Sequence, residues 1–165
     1  MYEKILVPVD GSETSALGLH EAIKIAKAQG SRLRLVHVVN EFVFDYGYSP
    51  GAYASTVIDS LRAGGKSILH QAEIVAQQQG ITPDCVLVES IGGPAADLIL
   101  AQAKEWPADL IVMGTHGRRG LVRLALGSDA GQVVHGAAVP VLLVRGTLAR
   151  NKSAPKATRL EASAA

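Results

Sequence analysis

The sequence predicts an α/β protein, with one parallel β-sheet and helices on both of its faces. Three observations carry this. Short runs rich in Val, Ile and Leu recur and are apolar almost throughout, as strands buried on both faces are. Stretches with a helical apolar stripe alternate with them, the pattern of a parallel sheet joined by right-handed crossovers. The chain of 165 residues is 48% hydrophobic but only 4% aromatic, so its core is built of Val, Ile, Leu and Ala. That length fits one domain, and that apolar fraction rules out wholesale disorder.

The first strand is Lys4-Ile-Leu-Val-Pro-Val9. Ser12 caps the helix that follows, Glu13 sits in its first turn, Leu19, Ala22, Ile23 and Ala26 share one face, and Gly30 ends it. The second strand is Leu33-Arg-Leu-Val-His-Val-Val39. A second helix over about 55–79 carries Leu61, Ile68, Leu69, Ala72, Val75 and Ala76 on one stripe, with Gly80 beyond it. Asp84 to Glu89 makes a weaker strand, in which Cys85 reads as a small buried apolar residue. A third helix runs from about Pro94 to Glu105, with Leu98, Ile99 and either Ala101 or Ala103 inward. Leu110-Ile-Val-Met113 is the next strand, and a fourth helix starts at Gly127 or Ser128 and ends near Gly136. In the last strand, Val139 to Val144, Pro140 removes a ladder donor, so the strand starts there or lies at the sheet edge. The helix ends His20–Gly30 and His70–Gly80 share five of eleven residues, but two occurrences do not make a solenoid. Residues 147–165 are Ala, Ser, Lys and Arg without periodicity, and read as a disordered basic tail on a domain of residues 1–146.

Charge and cysteine narrow the function. Sixteen basic and fifteen acidic side chains leave a net +1, which argues against a dedicated nucleic-acid binder. The last 21 residues carry five cations against Glu161, so the remainder is net −3; such a tail reads as a solvated appendage. A single cysteine excludes an internal disulfide and a cysteine zinc site. No signal-peptide pattern opens the chain, and its longest uncharged apolar run, Gly136 to Val144, is too short to span a bilayer. The expectation is a soluble, cytoplasmic protein with no membrane and no nucleic-acid partner.

Two segments carry chemistry. In an open α/β sheet, ligands sit beyond the carboxyl ends of the strands. Strand one ends in Pro8-Val-Asp-Gly-Ser12, where Asp10 either accepts from a ribose hydroxyl, holds a metal that bridges phosphates, or simply caps the next helix. After the fourth strand come Gly114-Thr-His-Gly117, nine residues, and Gly127-Ser128. Glycines there let backbone approach a ligand, and the free amides of a helix start make an anion site. The alternative is a glycine-rich loop in which Ser128 is only a cap. Gly65-Lys-Ser67 imitates the end of a phosphate-binding loop, but Ser60 stands where a glycine is required and a helix replaces the strand. The turn after strand one, with Gly11 alone, lacks the dinucleotide fingerprint. The histidines at 20, 37, 70, 116 and 135 show no metal-ligand spacing, and no serine stands in a nucleophile elbow.

With these residues in view, the chain resembles the universal stress protein family from about Met1 to Arg145. The resemblance is carried by Lys4-Ile-Leu-Val-Pro-Val-Asp-Gly-Ser12, Leu35-Val-His-Val38, Ala108-Asp-Leu-Ile-Val-Met-Gly-Thr-His-Gly117, Leu124-Ala-Leu-Gly-Ser128 and Val139-Pro-Val-Leu-Leu-Val144. The pattern Gly-x2-Gly-x9-Gly-Ser/Thr of its nucleotide-binding members is matched in full by Gly114, Gly117, Gly127 and Ser128. The resemblance implies a single Rossmann-like domain with a five-stranded parallel sheet in the order 3-2-1-4-5. It also implies ATP or AMP beyond strands 1, 2 and 4, with magnesium reached by Asp10 through the phosphates. Pro8, Val9 and Asp10 would lie at the ribose and phosphates, the Val38 backbone at the adenine, and Met113, Gly114, His116, Gly117, Gly127, Ser128, Asp129 and Ala130 around ribose and phosphates. Asp129 stands where many relatives have an aliphatic residue or Thr, and Gly131 where Glu is common. Arg118, Arg119 and Arg123 offset that acidic charge or form a solvated loop face.

The function implied is a nucleotide-responsive stress protein with at most weak ATPase activity. The alternative is a nucleotide-indifferent dimeric scaffold or chaperone-like module, since relatives form homodimers through the strand matching Val139–Val144. An ATP-dependent enzyme is the least supported reading, because nothing places a second substrate. Five of the seven aromatics, Phe42, Phe44, Tyr46, Tyr48 and Tyr53, cluster after strand two. They either pack over their own helix or a dimer mate, or form a lid beside the adenine.

Overall fold

The structure, a computed structural model, describes residues 1–40, 52–90, 92–115 and 126–146. The elements alternate as β1 (Lys4–Pro8), α1 (Glu13–Gln29), β2 (Arg32–Asn40), α2 (Ala52–Gln78), β3 (Asp84–Ser90), α3 (Ala95–Glu105), β4 (Leu110–Gly114), α4 (Ser128–Gly136) and β5 (Val141–Val144). The strands form a parallel sheet in the order β3-β2-β1-β4-β5, as the resemblance implies. β1 is central: it pairs with β2 from Lys4↔Arg32 to Pro8↔Val36, and with β4 through Ile5↔Leu110 and Leu6↔Ile111. The chain steps outward from β1 to β2 and β3, then crosses to β4 on the other side. The switch point, where ligands bind in such sheets, therefore lies between β1 and β4.

Alternation along β1 divides the core. Ile5 and Val7 pack under α1 and α2 with Leu19, Ile23, Leu33, Leu35 and Leu69. Leu6 faces α3 and α4 with Val36, Ile99, Ile111, Met113 and Val133. Ile5, Leu6 and Val7 are all fully buried, and burial of each contributes roughly 1.5–3 kcal/mol. Ser12 caps α1 by accepting from the Ser15 amide, and Gly30 ends it in the left-handed region at φ 72°. Of Ala101 and Ala103, it is Ala103 that is buried in α3, together with Ala96 and Ile99. β5 starts directly after Pro140 and lies at an edge, so both readings of that proline hold.

One expectation fails. Cys85 is exposed. Its strand, β3, is the other edge of the sheet, and Asp84, Cys85 and Glu89 all reach solvent there. A valine-rich run reads the same on paper whether it is central or at an edge. Partial burial of the thiol, then the carboxylates of Glu73 and Asp84, push its pKa up to about 11.

Gly65-Lys-Ser67 lies inside α2, and its glycine serves packing. A Cβ at Gly65 would stand 2.8 Å from His37 Cδ2 and from Leu87 Cδ1, and 2.9 Å from Val39 Cγ2. The missing side chain lets α2 lie directly on β2 and β3. Among the described residues, no helix is long and apolar enough to cross a membrane.

Candidate functional site

A cleft of about 860 Å³ opens at the carboxyl ends of β1, β2 and β4. Each wall follows from local sequence. At the end of β1, Gly11 takes φ 79°, a conformation that L side chains rarely adopt, and turns the chain into α1. Asp10 Oδ1 accepts from the Ser12 amide at 2.9 Å and from Ser12 Oγ at 2.6 Å. Ser12 Oγ in turn accepts from the Ser15 amide at 3.2 Å. The helix cap is therefore Ser12; Asp10 braces the cap and lines the cleft. The Asp10 amide donates to Ser15 Oγ at 3.2 Å.

The end of β1 is clamped to β2. The Val9 amide donates to the Val36 carbonyl at 2.8 Å. The Val9 carbonyl is bonded to His37 Nδ1 at 2.6 Å. A carbonyl only accepts, so Nδ1 carries the proton. His37 is 8% exposed and is held against α2 at Gly65. Val38, the next residue, faces the opposite side and packs with the α3 cluster.

The third wall joins β4 to α4. The Thr115 amide donates to the Val144 carbonyl, and the Thr115 carbonyl accepts from the Gly127 amide, each at 2.9 Å. The start of α4 is thereby fixed beside the end of β4. The first helical bond runs from the Gly131 amide to the Gly127 carbonyl, so the amides of Ser128, Asp129 and Ala130 precede any intrahelical acceptor. Gly127 makes no side-chain cap, and three amides at the positive end of a helix can receive an anion.

The two glycines of the motif that are described differ in kind. At Gly114 a Cβ would meet Thr14 C at 2.7 Å and Thr14 O at 2.8 Å, so packing of α1 on β4 demands glycine. Gly127 has φ −59° and ψ 149°, which any residue adopts. Backbone geometry does not require glycine there.

Pro8, Val9, Asp10, Val38, Met113, Gly114, Gly127, Ser128, Asp129 and Ala130 all line the one cleft. His116 and Gly117 lie outside the described residues, as do Arg118, Arg119, Arg123, the aromatic cluster from Phe42 to Tyr48, and the tail from 147. The side chain of Tyr53 is likewise not described. Pro94, Ala95 and Ile99 at the start of α3, and Ser60, Leu61 and Gly64 of α2, also line the cleft, and sequence reasoning missed them. Gly92-Gly93-Pro94, at the carboxyl end of a strand, was the available signal for the first group; α2 offered none. Among the described residues, no three His, Cys, Asp or Glu side chains are grouped to hold a metal.

Comparison with known proteins agrees with this geometry. The pattern of the universal stress protein family matches residues 1–145. The chain is 40% identical over 146 residues to universal stress protein A homolog 2 of Coxiella burnetii, covering 87% of this chain and 95% of that one. Its fold is similar to that of UspA from Lactobacillus plantarum, with a TM-score of 0.71 and 31% identity over 87% of this chain and 98% of that one. Two further similar structures, each with a TM-score of 0.64, are a universal stress protein in complex with cAMP, at 28% identity, and one from Archaeoglobus fulgidus in complex with dAMP, at 25%. They cover 87% of this chain and 97% and 98% of their own. By sequence pattern and fold alike, the chain belongs to the universal stress protein family.

Proposed function

We propose that the cleft binds an adenine nucleotide, ATP or AMP, and that its occupancy biases the choice of partner in a cytoplasmic stress response. The nucleotide-binding unit is residues 1–146, with 147–165 as an appended tail. The observation that carries the reading is the convergence of an apolar slot with three amides that have no helical acceptor. Val38, Ala95 and Ile99 offer the slot for a base. The amides of Ser128 to Ala130 suit a phosphate. Asp10 suits a ribose hydroxyl, and its carboxylate fits a magnesium ion arriving with the phosphates. That two relatives hold cAMP and dAMP supports the same class of ligand here.

Turnover is at most slow. With Nδ1 protonated against the Val9 carbonyl, the basic lone pair of His37 is on Nε2, and no hydrogen bond among the described residues brings it a hydroxyl to activate, as a positioned base requires. The half-buried, apolar β5 edge supports a homodimer through Val139–Val144.

Calorimetric titration of AMP and ATP tests the reading, with Gly127→Val as the control. Its backbone accepts valine, so the fold should persist while the side chain obstructs the phosphate end. Affinity should fall at least about tenfold, or 1.4 kcal/mol. No binding by the wild type, or equal binding by the variant, contradicts the reading.

A further inference from the structure

We propose that this cleft selects a nucleoside monophosphate over a triphosphate, and that Asp129 is the specificity-determining residue. The inference rests on the adenine-nucleotide reading above and concerns the length of phosphate chain that the site accepts. The ionisable side chains among the described lining residues are Asp10, His37 and Asp129, and no described Lys or Arg lines the cleft. Asp10 follows β1, and Asp129 is exposed in the first turn of α4, directly after Ser128. Two carboxylates thus belong to the lining of the cleft into which the start of α4 opens. His37 directs its Nδ1 proton to the Val9 carbonyl, so that donor is not available to a phosphate.

The attractive side is limited. The end of α4 offers three amides and the equivalent of about half a positive charge. That suits one phosphoryl group, which carries about −1.5 to −2 near neutral pH. Each further phosphoryl group adds negative charge to a cleft whose described lining already holds two carboxylates. The discrimination is therefore repulsive: the site tolerates the short anion and rejects the long one.

The test is calorimetric titration of AMP and of ATP, without divalent metal, into the full chain and into Asp129→Asn. Asp129 is exposed and loses only a favourable charge at a helix end, so the variant should fold, which thermal unfolding checks. The wild type should bind AMP about tenfold or more tighter than ATP, and the variant should gain roughly five- to tenfold for ATP and clearly less for AMP, so that the ratio narrows. ATP binding as tightly as AMP in the wild type overturns the proposal; it would mean that cations such as Arg118, Arg119 and Arg123 outweigh Asp129. An AMP-to-ATP ratio unchanged in Asp129→Asn also overturns it. Either result leaves the nucleotide reading standing. Absence of binding by both nucleotides to both proteins overturns the nucleotide reading itself, and this inference with it.

Discussion

Gly114→Ala adds one methyl group at the tightest contact between β4 and α1. Its Cβ would stand 2.7 Å from Thr14 C, 2.8 Å from Thr14 O and 2.9 Å from the Ser15 amide nitrogen. All three are backbone atoms, so no side chain can rotate away. Ordinary contact begins at about 3.5 Å, so the first turn of α1 must retreat by about 0.8 Å. One turn on, α1 approaches the same strand closely again: a Cβ at Gly18 would stand 3.2 Å from the Gly114 nitrogen. Overpacking of this kind costs about 1–3 kcal/mol, offset by about 0.4–1 kcal/mol from the stiffer unfolded chain. A net loss of about 1–2 kcal/mol corresponds to a Tm lower by roughly 2–8 °C for a chain of this size. Thermal unfolding followed by far-ultraviolet circular dichroism reads this directly. Nucleotide affinity should fall as well, because Ser15 holds the Asp10 amide and moves with the turn. A Tm within about 1 °C of wild type would refute the claim that backbone contact demands this glycine. Gly114 variants therefore mix stability with binding, whereas Gly127→Val separates them.

Two further outcomes follow. Cys85 is exposed, but with its pKa pushed up to about 11 its thiol stays protonated near neutral pH. Alkylation should be slow at pH 7.5, rise as pH climbs toward that value, and quicken in Glu73→Gln; fast labelling at pH 7.5 would contradict the assignment. The β5 edge should carry a homodimer in sedimentation velocity, and Leu143→Pro, which removes a donor on the side of β5 away from β4, should shift it toward monomer. A wild type that sediments only as monomer ends the dimer proposal.

The alternating pattern was legible because parallel strands are buried on both faces and leave apolar runs such as Lys4–Pro8 and Leu110–Gly114. Caps were legible too: Ser12, Gly30 and Pro94 stand at the helix ends where their chemistry belongs. Sheet position came from the resemblance and from Pro140, not from the apolar pattern itself. Whether a run lies at an edge depends on which strands flank it, and Cys85 was misplaced for that reason. The cleft was legible where it follows strand ends, at Asp10, Val38 and Gly127, and illegible where helices cover it. Nothing local marks Ser60 or Gly64 of α2 as lining, because that depends on how closely Gly65 lets the helix approach. Spacing also grouped Gly114 with Gly127, although packing demands glycine at the first and backbone angles do not demand it at the second. Trp106 likewise gave no warning of its setting. It is 7% exposed, with Arg34 4.8 Å from its ring; β1 and β2 bring Lys4 and Arg32 to within about 6 Å of the same ring.

The most direct test of the central claim is mass spectrometry of whatever small molecule is released when the freshly purified chain is denatured. The account predicts an adenine nucleotide, with AMP in excess of ATP. A ligand of another class in its place, or protein that releases no nucleotide and takes up no added AMP, would contradict it.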